Sequence, residues 1–126
     1  MKLSVIIPIY NEETTCRQLI EKVKSIPIQK QIIVIDDGST DQTWTMINLA
    51  REQDQRIRCI RQSRAGLTAS LNRAIRCAEG SIIARQDADD WSIPIRLERQ
   101  IYWVQQHGFD FVCSRAFLNT RERPSP

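Results

Sequence analysis

The sequence is poor in the features that mark several large protein classes. Its single histidine, His107, stands beside Gly108. That placement reads as a surface group complementing a helix end, not as a catalytic or metal-ligating centre. Four cysteines, Cys16, Cys59, Cys77 and Cys113, are scattered with no Cys-x-x-Cys spacing. Neither a thiolate metal site nor a disulfide framework is expected, and buried reduced thiols are the default. No apolar run approaches eighteen residues, so the sequence holds no membrane span. The opening Met-Lys-Leu-Ser-Val-Ile-Ile-Pro has one lysine and a short apolar stretch, and reads as a strand, not a secretion signal. There is no internal repeat and no low-complexity segment. With a net charge of +3 and no dense Lys/Arg block, nucleic acid is not an expected partner.

What is present is an ordinary globular composition, with 41% hydrophobic and 26% charged residues in 126, enough for one core. Arginine far outnumbers lysine, a bias that fits phosphate contact by forked guanidinium groups. The hydrophobic pattern alternates between two periods. Residues 3–9, 31–35, 56–61, 81–85 and 109–114 are short β-branched or apolar runs, predicted as five strands. Residues 11–24, about 41–52, 66–78 and 94–106 carry apolar positions at helical spacing, predicted as four helices. Asn11 or Thr14 would cap the first helix, and Gly80 would close the third. Trp44 and Trp103 read as core. The alternation predicts an α/β fold: a mostly parallel sheet with helices on both faces. The charged third strand is expected at an edge, and residues 119–126 as a disordered tail.

Three predicted strands end in groups that suit one anionic ligand, and parallel strands would place them on one sheet edge, where such folds bind ligands. The first ends in Pro8-Ile-Tyr10-Asn11-Glu12. Tyr10 could stack on a base and Glu12 bond a ring edge or sugar hydroxyl, although a rim aromatic and an acidic helix start are the plainer account. The second ends in Asp36-Asp37-Gly38, where a carboxylate could accept bonds from a base or ribose, or serve only a solvated turn. Between the third strand and third helix, Gly66 could admit a ligand to the backbone, and Arg61 or Arg64 could neutralise a diphosphate. The fourth ends in Asp87-Ala88-Asp89-Asp90. Paired carboxylates suit a hard cation that keeps phosphate oxygens as further ligands. Alone this last motif is weak, since eight aspartates in a chain of this length give roughly half an Asp-x-Asp by chance.

Taken together, several stretches resemble the inverting family 2 glycosyltransferases of GT-A fold. They are Ser4-Val-Ile-Ile-Pro-Ile-Tyr-Asn-Glu-Glu13, Ile33-Val-Ile-Asp-Asp-Gly-Ser-Thr-Asp41, Gly66-Leu-Thr-Ala-Ser-Leu-Asn72, Asp87-Ala-Asp-Asp90 and Ile93-Pro-Ile-Arg-Leu-Glu-Arg-Gln100. The resemblance runs from residue 3 to about 114 and implies a Rossmann-like donor-binding half-domain over 1–118, incomplete at the C-terminus. It implies that Tyr10 and Asp37 flank a uracil-like base, that Asp87 approaches the ribose, and that Asp89 holds Mg²⁺ or Mn²⁺ on the two phosphates. Pro8, Asn11, Glu12, Gly66 and Ala88 complete the implied donor-contacting set. One departure is Gln86, where similar proteins carry an apolar residue or Met.

The implied reaction moves a sugar from a nucleoside diphosphate sugar, here a UDP-sugar, to a carbohydrate or lipid-linked hydroxyl acceptor with inversion. The acceptor site and its Asp or Glu base would belong to further sequence. No catalytic residue is therefore assigned, and this chain alone is expected to be inactive. The location implied is cytoplasmic, free or peripheral at the inner face of the cell membrane. The alternative is a non-catalytic nucleotide-binding module or truncated pseudoenzyme. A nucleotidyltransferase is weaker still, because Ile7-Pro-Ile-Tyr-Asn lacks a Gly/Lys-rich phosphate signature.

Overall fold

A computed structural model describes residues 3–87 and 90–113 and divides the chain into two compact units, Met1–Ser81 and Ile82–Pro126. In the first unit the order is β1 (Ser4–Ile9), α1 (Cys16–Ser25), β2 (Gln31–Asp36), α2 (Thr43–Gln53), β3 (Ile57–Arg61) and α3 (Leu67–Ile75). The strands are parallel and ordered β1-β2-β3, with Ile7 beside Val34 and Val34 beside Cys59. The central strand β2 reads Ile32-Ile-Val-Ile35 and all four side chains are fully buried. Such a run is stable only with both sheet faces covered. Its alternation sends Ile32 and Val34 to one core, with Ile7, Ile9 and Ile57, Cys16 and Ile20 of α1, and Ile47 and Ala50 of α2. Ile33 and Ile35 go to the other, with Ala74 of α3. The charged strand β3 does lie at an edge.

This topology decides where a ligand can enter. Passing from β1 to β2 to β3 by way of helices on one face moves the chain steadily in one direction, as the right-handed crossover rule demands. The next helix, α3, packs on the opposite face against β1 and β2. Helices thus cover both faces, and the carboxyl ends of the parallel strands β1, β2 and β3 share one edge, the side on which open α/β sheets bind ligands.

Local chemistry moves several boundaries. Helix α1 starts at Cys16, five residues after the expected start, because Asn11 sits at φ 50° and the amides after β1 bond to the β2–α2 loop. Helix α3 ends at Ile75, and Gly80 is not its left-handed cap. The expected fourth strand over 81–85 does not form: Ile83 is 69% exposed, and the segment joins no ladder among the described residues. A strand exists through bonds to neighbours, and three apolar residues without a paired edge do not hold one. The described part of the expected fifth strand, 109–113, is likewise not a strand, with Phe111 exposed. Ser114 and the expected tail at 119–126 lie outside the described residues.

The second unit contains α4 (Arg96–His107), closed by Gly108 at φ 64°, whose N–H donates to the Val104 carbonyl at 3.1 Å. Trp103 is not core, as expected from the sequence, but exposed. It stacks on His107 at 4.4 Å between centroids and meets Tyr102 edge-on. No helix among the described residues is long and apolar enough to cross a membrane.

The packing predicts a sharp contrast. Ile33→Ala removes a fully buried side chain and should cost about 2–5 kcal/mol in chemical denaturation. Ile83→Ala, on the exposed segment, should stay within about 0.5 kcal/mol of the parent. Equal losses at both positions would show that 81–85 is a core strand after all.

Candidate functional site

Two loops at the carboxyl edge are laced together. The Asn11 amide donates to Ser39 Oγ at 2.9 Å, and Thr40 N–H donates to Asn11 Oδ1 at 2.9 Å. Glu12 N–H donates to Thr43 Oγ1 at 2.8 Å, and Gln42 N–H to Glu13 Oε2 at 2.9 Å. Asn11 and Thr43 thus do for the loops what ladder bonds do for the strands. Asp41 joins them by accepting from Thr43 N–H at 3.0 Å and Glu13 N–H at 3.3 Å. Its carboxyl is held below the usual range, chiefly by the Thr43 hydroxyl. The Glu12 carboxylate accepts from the Thr15 hydroxyl at the start of α1.

The adjacent aspartates at the end of β2 have different work. Asp36 is wholly buried, accepts from Ser39 N–H at 3.1 Å and is ion-paired with Arg61 Nε at 3.2 Å. Arg61 also donates to the Ser39 carbonyl at 3.2 Å and lies over the Trp44 ring at 5.3 Å. It is committed to the scaffold. Asp37 reaches across to the β3–α3 loop instead. Its Oδ1 accepts from Gln62 Nε2 at 2.7 Å and Ala65 N–H at 2.9 Å, and its Oδ2 from Gly66 N–H at 2.8 Å. The Gln62 bond first, then the Ala65 and Gly66 amides, hold its carboxyl down at about 2. A carboxylate offers about four acceptor positions, so one remains on Oδ2.

Gly38 makes that reach possible. At φ 79° it is left-handed, and a Cβ there would lie 2.7 Å from the Arg64 amide nitrogen. Any side chain would push the two loops apart. Gly66, at φ 88°, opens α3. Between β1 and this loop lies a cavity of about 220 Å³ lined by Pro8, Ile9, Tyr10, Asp37, Arg64, Gly66, Leu67 and Ser70. Whole small-molecule ligands occupy about 300–1,000 Å³, so this space suits one part of a ligand, such as a single ring. Over it, the Arg64 guanidinium lies 3.5 Å from the centroid of the Tyr10 ring.

Of the residues expected from sequence, the structure gathers Pro8, Tyr10, Asp37 and Gly66 around one cavity. Asn11 and Glu12 bond to neighbouring loop and helix groups. Asp87 is in the second unit, exposed, with its carboxylate 3.0 Å from Arg85 Nε. Ala88 and Asp89 lie outside the described residues. Sequence reasoning missed Gln62 and Ser70. Gln62 Nε2 bridges Asp37 and the buried Ser70 hydroxyl, the latter at 3.0 Å. A serine on the apolar face of α3, four residues before Ala74, was the available signal. It also missed the work of Gln86, which donates to the backbone carbonyls of Asp87 at 3.1 Å and Asp90 at 2.9 Å and accepts from the Ser92 hydroxyl. An amide can brace that acidic turn where an apolar side chain cannot. All four cysteines are free, and burial pushes the Cys59 thiol up to about 11. Among the described residues no three or more His, Cys, Asp or Glu side chains gather as a metal cage.

The Asp37 bonds carry a pH signature. A carboxyl whose folded pKa is depressed to about 2, from an ordinary 3.8, adds stability that is complete above about pH 4 and lost as pH falls through 2. Asp37→Asn should be less stable than the parent at pH 7, and the difference should shrink between about pH 4 and 2. Acid titration of denaturation midpoints for both proteins checks this. A difference independent of pH would mean that Asp37 makes no charge-dependent bonds.

The chain as a whole is similar to known proteins. Residues 4–124 match the family model described as Glycosyl transferase family 2. EpsE of Bacillus subtilis strain 168, provisionally named a glycosyltransferase, is 40% identical over 84% of this chain and 39% of its own length. An Escherichia coli protein, the UDP-Glc:alpha-D-GlcNAc-diphosphoundecaprenol beta-1,3-glucosyltransferase WfaP, is 32% identical over 92% of this chain and 46% of its own. Among solved structures, the mannosyltransferase PcManGT from Pyrobaculum calidifontis, in complex with GDP-Man and Mn²⁺, superposes with a TM-score of 0.64 at 26% identity. It covers 81% of this chain and 32% of that one. The chain therefore spans less than half the length of each of these relatives. With a parallel sheet of GT-A type and a family match over nearly its whole length, the chain belongs to glycosyl transferase family 2.

Proposed function

We propose that the first unit binds the nucleoside part of a nucleoside diphosphate sugar, as the donor side of a sugar transfer to a hydroxyl acceptor with inversion. The observation that carries this is the Tyr10–Asp37 cavity. An aromatic face and a carboxylate with one acceptor position left adjoin a space of single-ring size at the crevice of the sheet. A uracil ring offers an N–H that such a carboxylate can accept and a face that Tyr10 can stack. The names of relatives support the class: WfaP is named for UDP-Glc and PcManGT was solved with GDP-Man. The first supports UDP as the donor nucleotide of this chain, and the diphosphoundecaprenol in the same name supports a carbohydrate or lipid-linked acceptor.

A divalent cation, Mg²⁺ or Mn²⁺, fits the donor chemistry of the acidic turn. Asp87, Asp89 and Asp90 are hard oxygen ligands, and the ion prefers to keep several non-protein oxygens. Asp89 would hold it, with Asp87 toward the ribose. The exposed Asp87–Arg85 pair is no obstacle, since exposed ion pairs contribute little. When bound, the cation neutralises charge on the departing nucleoside diphosphate. The chain's own residues bind and orient: Tyr10 and Asp37 fix the base, and Gln86 holds the backbone carbonyls of Asp87 and Asp90. The proposed place of work is the cytoplasm or the inner face of the membrane, where lipid-linked acceptors are reached.

Two measurements test this reading. Titration calorimetry with UDP should show binding in Mn²⁺ that weakens at least about tenfold in EDTA, and Asp89→Ala should abolish the metal effect. Binding that ignores metal would remove Asp89 from the site. Separately, Asp37→Asn should weaken UDP binding about ten- to a hundredfold, the range for a lost hydrogen bond to a charged group. The metal concentration needed for half-maximal effect should not change. A sharply raised metal requirement would place Asp37 with the cation and not with the base.

A further inference from the structure

Arg64 covers one face of the Tyr10 ring, beside the cavity that both residues line. We propose that Arg64 is a displaceable cover on Tyr10, a specificity-determining residue that makes base binding depend on the anionic part of the ligand. The inference rests on the donor-site reading and adds a condition to it.

A guanidinium 3.5 Å from the ring centroid is in direct contact, with no room for a second flat group between. Base and guanidinium therefore compete for this face. The backbone beneath Arg64 is fixed on both sides. Asp37 accepts from Ala65 and Gly66, and Gly38 packs so closely that a Cβ would lie 2.7 Å from the Arg64 amide nitrogen. Only the side chain is left to move. Its charge is also poorly held. Whereas Arg61 is paired with the buried Asp36, Arg64 is exposed and forms no ion pair among the described residues. The ring face is its partner, and an exposed cation–π contact is weak. A neutral nucleoside must displace the guanidinium and offers it nothing. A nucleoside diphosphate brings phosphate oxygens that can take the released cation in charge-assisted bonds. The cover thus favours the charged ligand over its uncharged fragment.

The test compares uridine and UDP, with Mg²⁺ throughout, on the parent chain and on Arg64→Ala and Tyr10→Leu. In the free parent, NMR should show the Arg64 side-chain protons shifted upfield by the Tyr10 ring, and Tyr10→Leu should abolish that shift. UDP should abolish it too. Arg64→Ala should bind uridine about two- to fivefold more tightly, the worth of an exposed cation–π contact. Its preference for UDP over uridine should fall by about tenfold or more, through loss of charge-assisted bonds. Weaker uridine binding by Arg64→Ala would overturn the proposal, because the guanidinium would then be a second leaf clasping the base. So would a ring-shifted Arg64 that persists in the UDP complex, or the absence of any upfield shift in the free chain, although UDP binding would leave the donor site standing. If the parent shows the upfield shift yet neither ligand moves any resonance, the donor reading fails and takes the cover's role with it.

Discussion

The Asp37 carboxylate joins the end of the buried central strand to a loop that has no strand or helix of its own. Three donors converge on it, two of them backbone amides of consecutive residues. Without it, Ala65 and Gly66 would present unpaired N–H groups at the mouth of a cavity, and α3 would lose the fixed point from which it starts. Backbone donors near a surface need partners, and water would satisfy these without positioning them. The carboxylate positions as well as satisfies, and for that reason the cavity between Tyr10 and Leu67 has a definite shape.

A division of labour between neighbours follows from the strand's period of two. Asp36 faces inward and needs a cation, which Arg61 supplies. Asp37 faces the loop, where neutral and backbone donors meet it. The two arginines divide in the same way. Arg61 is spent on a buried charge and Arg64 is left to an aromatic ring. A buried pair broken at one partner leaves an uncompensated charge, whereas an exposed cation on a ring can leave at small cost. One arginine is therefore scaffold and the other is free to act.

Strand order and loop lacing put these groups at the crevice. The β1–α1 and β2–α2 loops exchange bonds through Asn11, Glu13, Ser39 and Thr43, so Tyr10 is carried by two loops. Helix α3 packs across the opposite face against β1 and β2, and its first residues stand beside the carboxyl end of β1. In the second unit, Gln86 braces the acidic turn from within through the Asp87 and Asp90 carbonyls.

The sequence by itself determined the parallel α/β sheet, the places of β1, β2 and β3, and the gathering of Tyr10, Asp37 and Gly66 near one edge. Unbroken Ile/Val runs can only be strands covered on both faces, and the groups that follow them must emerge at the same end. Its linked motifs also gave the family. Other features were not legible, because they depend on partners far along the chain. The late start of α1 follows from bonds between residues 28 to 31 positions apart. Strand formation at 81–85 required a ladder that local composition cannot provide. Which arginine is committed, and that Gln62 and Ser70 support Asp37, emerge only when β2, β3 and α3 are packed together. Periodicity reports which face a residue shows, but only tertiary structure decides what meets it there.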